Sequence, residues 1–188
     1  MNPLSLTLSR EGRGNAQRGF TLVEMVMVTL VVGMLVITLG VMLNTGVRAF
    51  DEGRKAVDTL SSLRLTTERL TRELRTVRRN PAIPADFDFL AKNATNVQFR
   101  RFENDGTTVT TVTITATPPN LTLAYNTPAG SYILTNQLGS LALSYLRADG
   151  TVTTSNTDVA FVVMDLNLTD SNGNNYPQRT RVALRNRQ

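Results

Sequence analysis

The chain has 188 residues and a formal net charge of +5, and it contains no cysteine and no histidine. Those two absences exclude disulfides, thiolate chemistry, a histidine general base and histidine metal ligands. Residues 81–188 hold eight basic and eight acidic side chains, so the positive excess lies in residues 1–80. A neutral C-terminal half argues against a domain that binds nucleic acid.

Residues 1–19 are predicted to form a short basic leader without regular structure. Leu4, Leu6 and Leu8 alternate over too short a run for a strand, and residues 9–18 offer no apolar face. The leader ends at Gly19, directly before a long apolar run. In an ordinary secretory signal peptide the apolar region precedes the cleavage site. A cut after Gly19 would therefore leave the apolar segment on the mature protein.

Residues 20–43 contain a single charged side chain, Glu24. As a helix with a rise of about 1.5 Å per residue, this run is roughly 36 Å long, enough to cross a bilayer. We therefore predict a transmembrane helix. Its orientation does not follow from charge, because three basic residues flank it on each side: Arg10, Arg13 and Arg18 before it, and Arg48, Arg54 and Lys55 after it.

Glu24 is the residue in this segment with the clearest chemical demand. A carboxylate inside an apolar span costs about 2.5–3.5 kcal/mol on insertion scales, so it needs a partner or a proton. A cut after Gly19 would create an amine on Phe20, one helical turn away. That amine could pair with the Glu24 carboxylate of the same or a neighbouring subunit. The alternative is a carboxylate that stays hydrated at the membrane surface.

The helix is predicted to continue through residues 44–80, because no proline interrupts residues 20–80 and Asn80-Pro81 provides a stop. Residues spaced three and four apart form one largely apolar stripe that suits packing on a soluble domain: Ala56, Leu60, Leu63, Thr67, Leu70, Leu74 and Val77. Pairs spaced four apart are expected on its exposed sides: Glu68 with Arg72, and Arg69 with Glu73.

Residues 81–188 are predicted to form a loop and an antiparallel β domain, with residues 81–96 as the loop. Asp105-Gly106 and Asp149-Gly150 indicate two hairpin turns between alternating strands. A third hairpin is expected between residues 159–168 and 179–184, and residues 132–134 suggest a short strand. One face of such a meander needs a cover, and the apolar stripe provides it. The predicted fold class is α+β, with a long N-terminal helix packed on a C-terminal antiparallel sheet.

The run Arg18-Gly19-Phe20-Thr21-Leu22-Val23-Glu24, followed by apolar residues to Leu43, resembles the processing site of type IV prepilins and type II secretion pseudopilins. The resemblance implies that a prepilin peptidase cleaves after Gly19 and that Phe20 is then N-methylated. It also implies that Glu24 and the Phe20 amine guide subunit assembly.

The same resemblance implies a pilin-like fold and a life history. The protein would cross the bacterial inner membrane once, with its C-terminal domain in the periplasm. It would then join a pilus or pseudopilus through its N-terminal helix, using an inner-membrane assembly platform. Many pilins carry a proline in the second half of the apolar segment, and this chain does not.

Residues 63–81, Ser144-Tyr145-Leu146 before Asp149-Gly150, and residues 181–186 are similar to J-type minor pseudopilins and W-type minor pilins. This likeness implies a minor subunit that helps to start or cap a filament. The alternatives are a major pilin, a DNA-uptake (competence) pilin, and an unrelated single-pass protein with an anchored domain. The choice between type II secretion and a type IV pilus, with its role in motility, stays open.

We expect no catalytic residue, cofactor or metal, and hence no enzyme. Residues 170–175 have the oxygen-rich composition of a calcium loop, as in some pseudopilins, but they lack the distal glutamate of an EF-hand. A polar hairpin turn is the alternative explanation.

Overall fold

The computed structural model describes residues 19–103 and 105–184. The predicted leader, apart from Gly19, lies outside the described residues, and so do residues 185–188. The chain divides into two compact units, residues 1–49 and 50–188, and each is treated by itself. Helix α1 covers Leu22–Leu74. It supplies nearly all of the described part of the first unit and the first element of the second.

Eight strands follow in the second unit, and all of their pairings are antiparallel. They are β1 (Phe89–Lys92), β2 (Asn96–Phe102), β3 (Val109–Thr117), β4 (Asn120–Asn126), β5 (Ala129–Thr135), β6 (Leu138–Leu146), β7 (Phe161–Thr169) and β8 (Asn175–Ala183). The strands form a five-stranded sheet, β1-β2-β3-β4-β5, and a three-stranded sheet, β6-β7-β8. The predicted α+β class is confirmed, whereas the single meander is replaced by two sheets.

Two of the three predicted hairpins are formed by paired strands, and the remaining one is only partly formed. Strands β2 and β3 pair around Gly106, and β7 and β8 pair around Gly173, with φ angles of 70° and 85° that favour glycine. At the second turn, the segment after Gly150 returns to β6 through one isolated bridge between Leu146 and Val152. Two strands were not predicted, namely β1 inside the expected loop of residues 81–96, and β4.

The helix ends at Leu74, six residues before the predicted end at residue 80. Its last turn tightens, because the N–H of Thr76 donates to the carbonyl of Glu73 at 3.0 Å. The chain then runs extended, and isolated bridges join Val77 to Arg101 and Arg79 to Phe87. The early end has a tertiary cause, since backbone partners from the strand region replace the helical ones.

The apolar stripe of α1 covers the core, and most of the residues predicted for it are buried. Leu63, Leu70 and Leu74 are buried against residues of both sheets, including Phe99, Ile114, Leu123, Met164 and Leu166. Leu60 was assigned to this stripe, but 49% of it is exposed. Thr67 and Val77 were also predicted in the stripe and are buried. The buried face includes three polar side chains that were not predicted: Thr59, Thr66 and Glu73.

Candidate functional site

The start of α1 is fixed by Thr21. Its carbonyl accepts the first helical bond, from the N–H of Met25 at 3.1 Å, and its Oγ1 accepts from the N–H of Glu24 at 3.2 Å. Thr21 is therefore the N-cap, and Thr-x-x-Glu is the sequence of a capping box. The sequence analysis missed this role of Thr21, although the spacing of threonine and glutamate was the available signal.

The predicted cleavage point lies just before this cap, in non-helical backbone. A Cβ placed on Gly19 would meet no heavy atom within 4 Å, and 74% of Phe20 is exposed. Gly19 and Phe20 are thus not packed against the part of the chain that the structure describes. Exposed irregular backbone is what a peptidase requires of its substrate.

Glu24 lies in the first turn of α1, where the helix dipole favours a carboxylate. Within residues 19–103 and 105–184 no basic side chain forms an ion pair with it. The cap places Glu24 at the same helix end as Phe20. The structure does not test the predicted roles of Gly19, Phe20 and Glu24 in cleavage, methylation and assembly.

The apolar part of α1 is long and apolar enough to cross a membrane, and none of its most apolar stretch is buried within the chain. Its hydroxyl groups are satisfied internally. Thr29 donates to the carbonyl of Val26 at 2.9 Å, Thr38 to that of Met34 at 2.7 Å, and Thr45 to that of Val41 at 2.9 Å. A hydroxyl bonded in this way presents no unsatisfied donor to lipid.

Residues 14–40 match the family model of the prokaryotic N-terminal methylation motif. This region contains Gly19, Phe20 and Glu24, and the match supports a type IV pilin-like or pseudopilin-like protein. The motif implies processing by a prepilin peptidase and assembly with other pilins, and with the apolar helix it suggests membrane anchoring.

The match covers a small part of the chain and leaves the whole second unit outside it. No curated protein and no solved structure matches the chain at a significant level. The finer likeness to J-type pseudopilins or W-type pilins therefore stays a prediction.

The second unit contains a buried polar cluster that joins α1 to the five-stranded sheet. Glu73, only 3% exposed, accepts from the hydroxyl of Tyr125 at 2.8 Å and pairs with Arg69 at 3.1 Å. Its second oxygen lies 3.7 Å from Nε of Arg101, and neither atom has a hydrogen-bond partner within the described residues. Burial and the bond to Glu73 raise the pKa of Tyr125.

The sequence assigned Glu73 to an exposed side of the helix, and this was wrong. Its predicted partner Arg69 is confirmed, because the two residues form an i,i+4 ion pair. Glu68 pairs with Arg64 at 2.9 Å rather than with the predicted Arg72. The spacing of charged residues along a helix does not show whether a given side chain is buried between the helix and the sheet or faces water.

A second buried ion pair holds the segment that follows the helix. Nε and Nη2 of Arg78 both lie 2.8 Å from one oxygen of Asp88. The backbones of Arg78, Asp88 and Arg100 also close a ring of three hydrogen bonds. Arg78 N–H donates to Arg100, Arg100 N–H to Asp88, and Asp88 N–H to Arg78, at 2.9–3.0 Å.

The loop of residues 170–175 is organised around the Asp170 carboxylate. One oxygen accepts from the backbone N–H groups of Asn172 and Asn174, and the other accepts from the Asn174 side chain and the Tyr176 hydroxyl. These bonds, above all the one from the Asn174 side chain, lower the pKa of Asp170. With its oxygens already engaged, the carboxylate fits a polar hairpin turn better than a calcium site.

Proposed function

We propose that this chain is a minor pilin or pseudopilin subunit that acts by assembly and not by catalysis. It inserts in the bacterial inner membrane with its C-terminal domain in the periplasm, is cleaved after Gly19, and joins or primes a type IV pilus or a type II secretion pseudopilus. The observation that carries the proposal is the methylation motif over residues 14–40. The open backbone at Gly19 and the exposed apolar helix support it.

Cleavage and assembly are linked by charge in this proposal. Before the cut, the nitrogen of Phe20 is a neutral amide, and no basic side chain of residues 19–103 and 105–184 pairs with Glu24. After the cut, the nitrogen becomes an amine that carries a positive charge and is then methylated. The Thr21 cap holds the Glu24 carboxylate at the same helix end, ready for the amine of its own or a neighbouring subunit.

The apolar helix then has two successive environments. In the membrane its exposed side chains face lipid, and in the filament they pack against the helices of other subunits. A long apolar surface that no other described residue covers supports such a bundle.

The deciding experiment is the intact mass of the protein extracted from membranes, in cells with and without an active prepilin peptidase. We expect a mature N-terminus at Phe20 with one added methyl group when the peptidase is active. We expect the full leader when it is not. Retention of residues 1–19 in cells with an active peptidase would contradict the proposal.

The minor role is supported by the likeness of residues 63–81 to J- and W-type subunits and by the lack of cysteines that could bound a C-terminal loop. The abundance of this chain in sheared filaments, relative to the main subunit, tests the assignment to a minor role. A fraction of a few per cent fits a minor subunit. A protein that makes up most of the filament mass would be a major pilin instead.

A further inference from the structure

A polar groove lies between the C-terminal part of α1 and strand β8, inside the second unit. Its volume is about 560 Å³, and it is lined by Thr67, Thr71, Arg72 and Arg75 from the helix and by Gln178 and Thr180 from the strand. This volume is within the usual range of about 300–1,000 Å³ for a ligand site. The groove differs from the rest of the helix–sheet contact because polar side chains line it and it is open to solvent.

Strand β8 forms one wall of this groove and is the free edge of the three-stranded sheet. Just beyond its end, the N–H of Leu184 donates to the carbonyl of Ala160 across the continued β7 pairing. In an antiparallel pair, residues that bond to the partner strand alternate with residues that do not. Because Leu184 bonds to the β7 side, the main-chain groups of the even-numbered residues of β8 face β7. The main-chain groups of Arg179, Arg181 and Ala183 therefore point outward. Pro177, which has no N–H, has the same outward parity.

The groove also carries positive charge that the chain does not neutralise. Within the described residues, Arg72 and Arg75 form no ion pair, whereas Arg64, Arg69 and Arg78 each pair with a carboxylate. Glu68 also lines the groove, but its carboxylate is bonded to Arg64 at 2.9 Å. Thr67 donates to the side chain of Gln178 at 3.2 Å across one end of the groove. Two guanidinium groups that form no ion pair within the described residues thus line a groove whose other wall is a strand with an unpaired edge.

We infer that this groove binds an extended acidic segment of a different protein, which adds to the sheet as a fourth strand beside β8. Its main chain pairs with the outward groups of Arg179, Arg181 and Ala183. Its carboxylates bind Arg72 and Arg75. The inference depends on the second unit alone, and it stands whether or not the chain assembles as a pilin.

The edge strands within the described residues do not offer such a segment. None of the four sheet-edge strands, β1, β5, β6 and β8, contains an aspartate or glutamate. Two β8 strands from separate copies would bring Arg179 and Arg181 together, and like charges across a strand pair are unfavourable. The residues after Leu184 add Arg185 and Arg187 and no carboxylate. Charge complementarity therefore selects an acidic partner of another sequence.

A peptide also fits the groove better than a nucleic acid does. A free strand edge supplies alternating N–H and C=O groups that match a polypeptide backbone, and a phosphate backbone has no donors to match the carbonyls. The aromatic platforms that stack single-stranded bases are missing from the lining, which holds only threonine, glutamine, glutamate and arginine side chains.

The test starts from a library of random nine-residue peptides displayed on phage and selected on the intact chain in detergent micelles. We expect enrichment of sequences with aspartate or glutamate at alternate positions. A synthetic copy of one enriched peptide should bind at least about tenfold more weakly to the double variant Arg72→Gln, Arg75→Gln, since each lost charge-assisted contact is worth about that much.

The matched control is Arg48→Gln, Arg54→Gln, which removes the same charge from exposed helix positions outside the groove. This control should bind the peptide like the wild type. If both double variants weakened peptide binding equally, the effect would come from the overall charge of the protein. That result would overturn the assignment of binding to the groove. Enrichment of peptides without acidic residues would overturn the charge complementarity.

Two further probes separate strand addition from other modes of binding. The same peptide with alternate backbone nitrogens methylated should lose its binding, and unchanged binding would overturn strand addition. A labelled single-stranded oligothymidylate should not bind at the groove. Binding of that probe with loss in the Arg72→Gln, Arg75→Gln variant, in the absence of peptide binding, would assign the groove to nucleic acid and refute our inference.

Discussion

At the residue scale, the first helical turn combines two functions in one short sequence. Thr21 caps the helix, and Glu24 both donates its N–H to the cap and carries the charge to which assembly is assigned. The cap stabilises the helix end through local hydrogen bonds and needs no other subunit. The charge of Glu24 contributes to assembly only when a second charged group lies beside it. Substitutions can separate the two functions.

We predict that Glu24→Gln leaves cleavage after Gly19 intact but lowers incorporation into filaments about tenfold, which corresponds to roughly 1.4 kcal/mol. Glutamine preserves the capping-box pattern and removes only the charge. Immunoblots of sheared filaments against membrane fractions measure the ratio. The matched variant Thr21→Ala removes the cap at a cost of about 1 kcal/mol in helix stability, and it should be incorporated almost normally. Wild-type incorporation of Glu24→Gln would contradict the assigned role.

The buried carboxylate of Glu73 gives a second prediction at this scale. Glu73→Gln removes the buried charge that accepts from Tyr125 and pairs with Arg69, while Arg101 keeps its pair with Glu103 at 3.0 Å. We expect the free energy of unfolding to fall by about 2 kcal/mol, the usual size for a hydrogen bond to a charged group. Denaturant unfolding of the intact chain in detergent, followed by circular dichroism, measures this loss. Glu68→Gln breaks an exposed pair of the same type and should cost no more than about 1 kcal/mol. Similar losses in the two variants would show that the buried cluster has no special weight.

At the scale of elements, the sequence was informative wherever a local pattern determined the result. Asp105-Gly106 and the Asn- and Gly-rich loop 170–175 located two hairpins, because their turns need residues that tolerate positive φ. The end of α1 was not predictable in this way. The helix stops because the N–H of Arg78 finds the carbonyl of Arg100, a partner that lies distant in sequence. Strand β1 was not predicted for a related reason. It is a strand because it pairs with β2, and that pairing depends on the fold and not on the local sequence.

The packing of α1 leads to a prediction with an internal control. Leu70 is 1% exposed in the core, whereas 67% of Leu65 is exposed on the same helix. Leu70→Ala should lower the free energy of unfolding by about 2–5 kcal/mol, through lost burial and the cavity left behind. Leu65→Ala should change it by less than about 0.5 kcal/mol, since surface substitutions are usually near neutral. Thermal and denaturant melts of both variants check the difference, and equal effects would mean that the helix does not pack as described.

At the scale of the whole molecule, the methylation motif was easier to recognise in the sequence than the arrangement of the strands. The residues of the segment around Gly19 are adjacent in sequence, so the motif can be recognised without knowledge of the fold. The division into two sheets depends on which strand edges meet, and alternation of side chains does not encode that choice. Residues 136 and 137 separate β5 from β6, a spacing that also suits a hairpin, yet these strands belong to different sheets.

The stability of the intact chain should depend on pH through the aspartates of its turns. Asp105 accepts bonds from the Thr108 hydroxyl and from the backbone N–H groups of Thr107 and Thr108, and these lower its pKa to about 2. Bonds from Thr151 lower the pKa of Asp149, and those from Asn174 lower the pKa of Asp170. A carboxyl with a lowered folded-state pKa stabilises the fold above its unfolded pKa, and the effect is lost as the pH falls toward the folded value.

We therefore expect Asp105→Asn to be less stable than the wild type at neutral pH, with the gap closing as the pH falls from about 4 to about 2. Denaturant unfolding at a series of pH values gives this profile. Asp58→Asn removes the same charge from the exposed surface of α1, outside the turns, and serves as the control for general effects of charge. A gap that widens toward low pH would reverse the sign of the argument.

The ring of hydrogen bonds among Arg78, Asp88 and Arg100 has a mechanical consequence. A pull applied along α1 reaches the sheet through residues 75–79, where it meets three backbone bonds and a buried ion pair within a few ångströms of one another. Bonds that share a load must fail together, which takes more force than breaking them one after another. The junction after the helix is therefore tied to the sheet by bonds that resist a pull together.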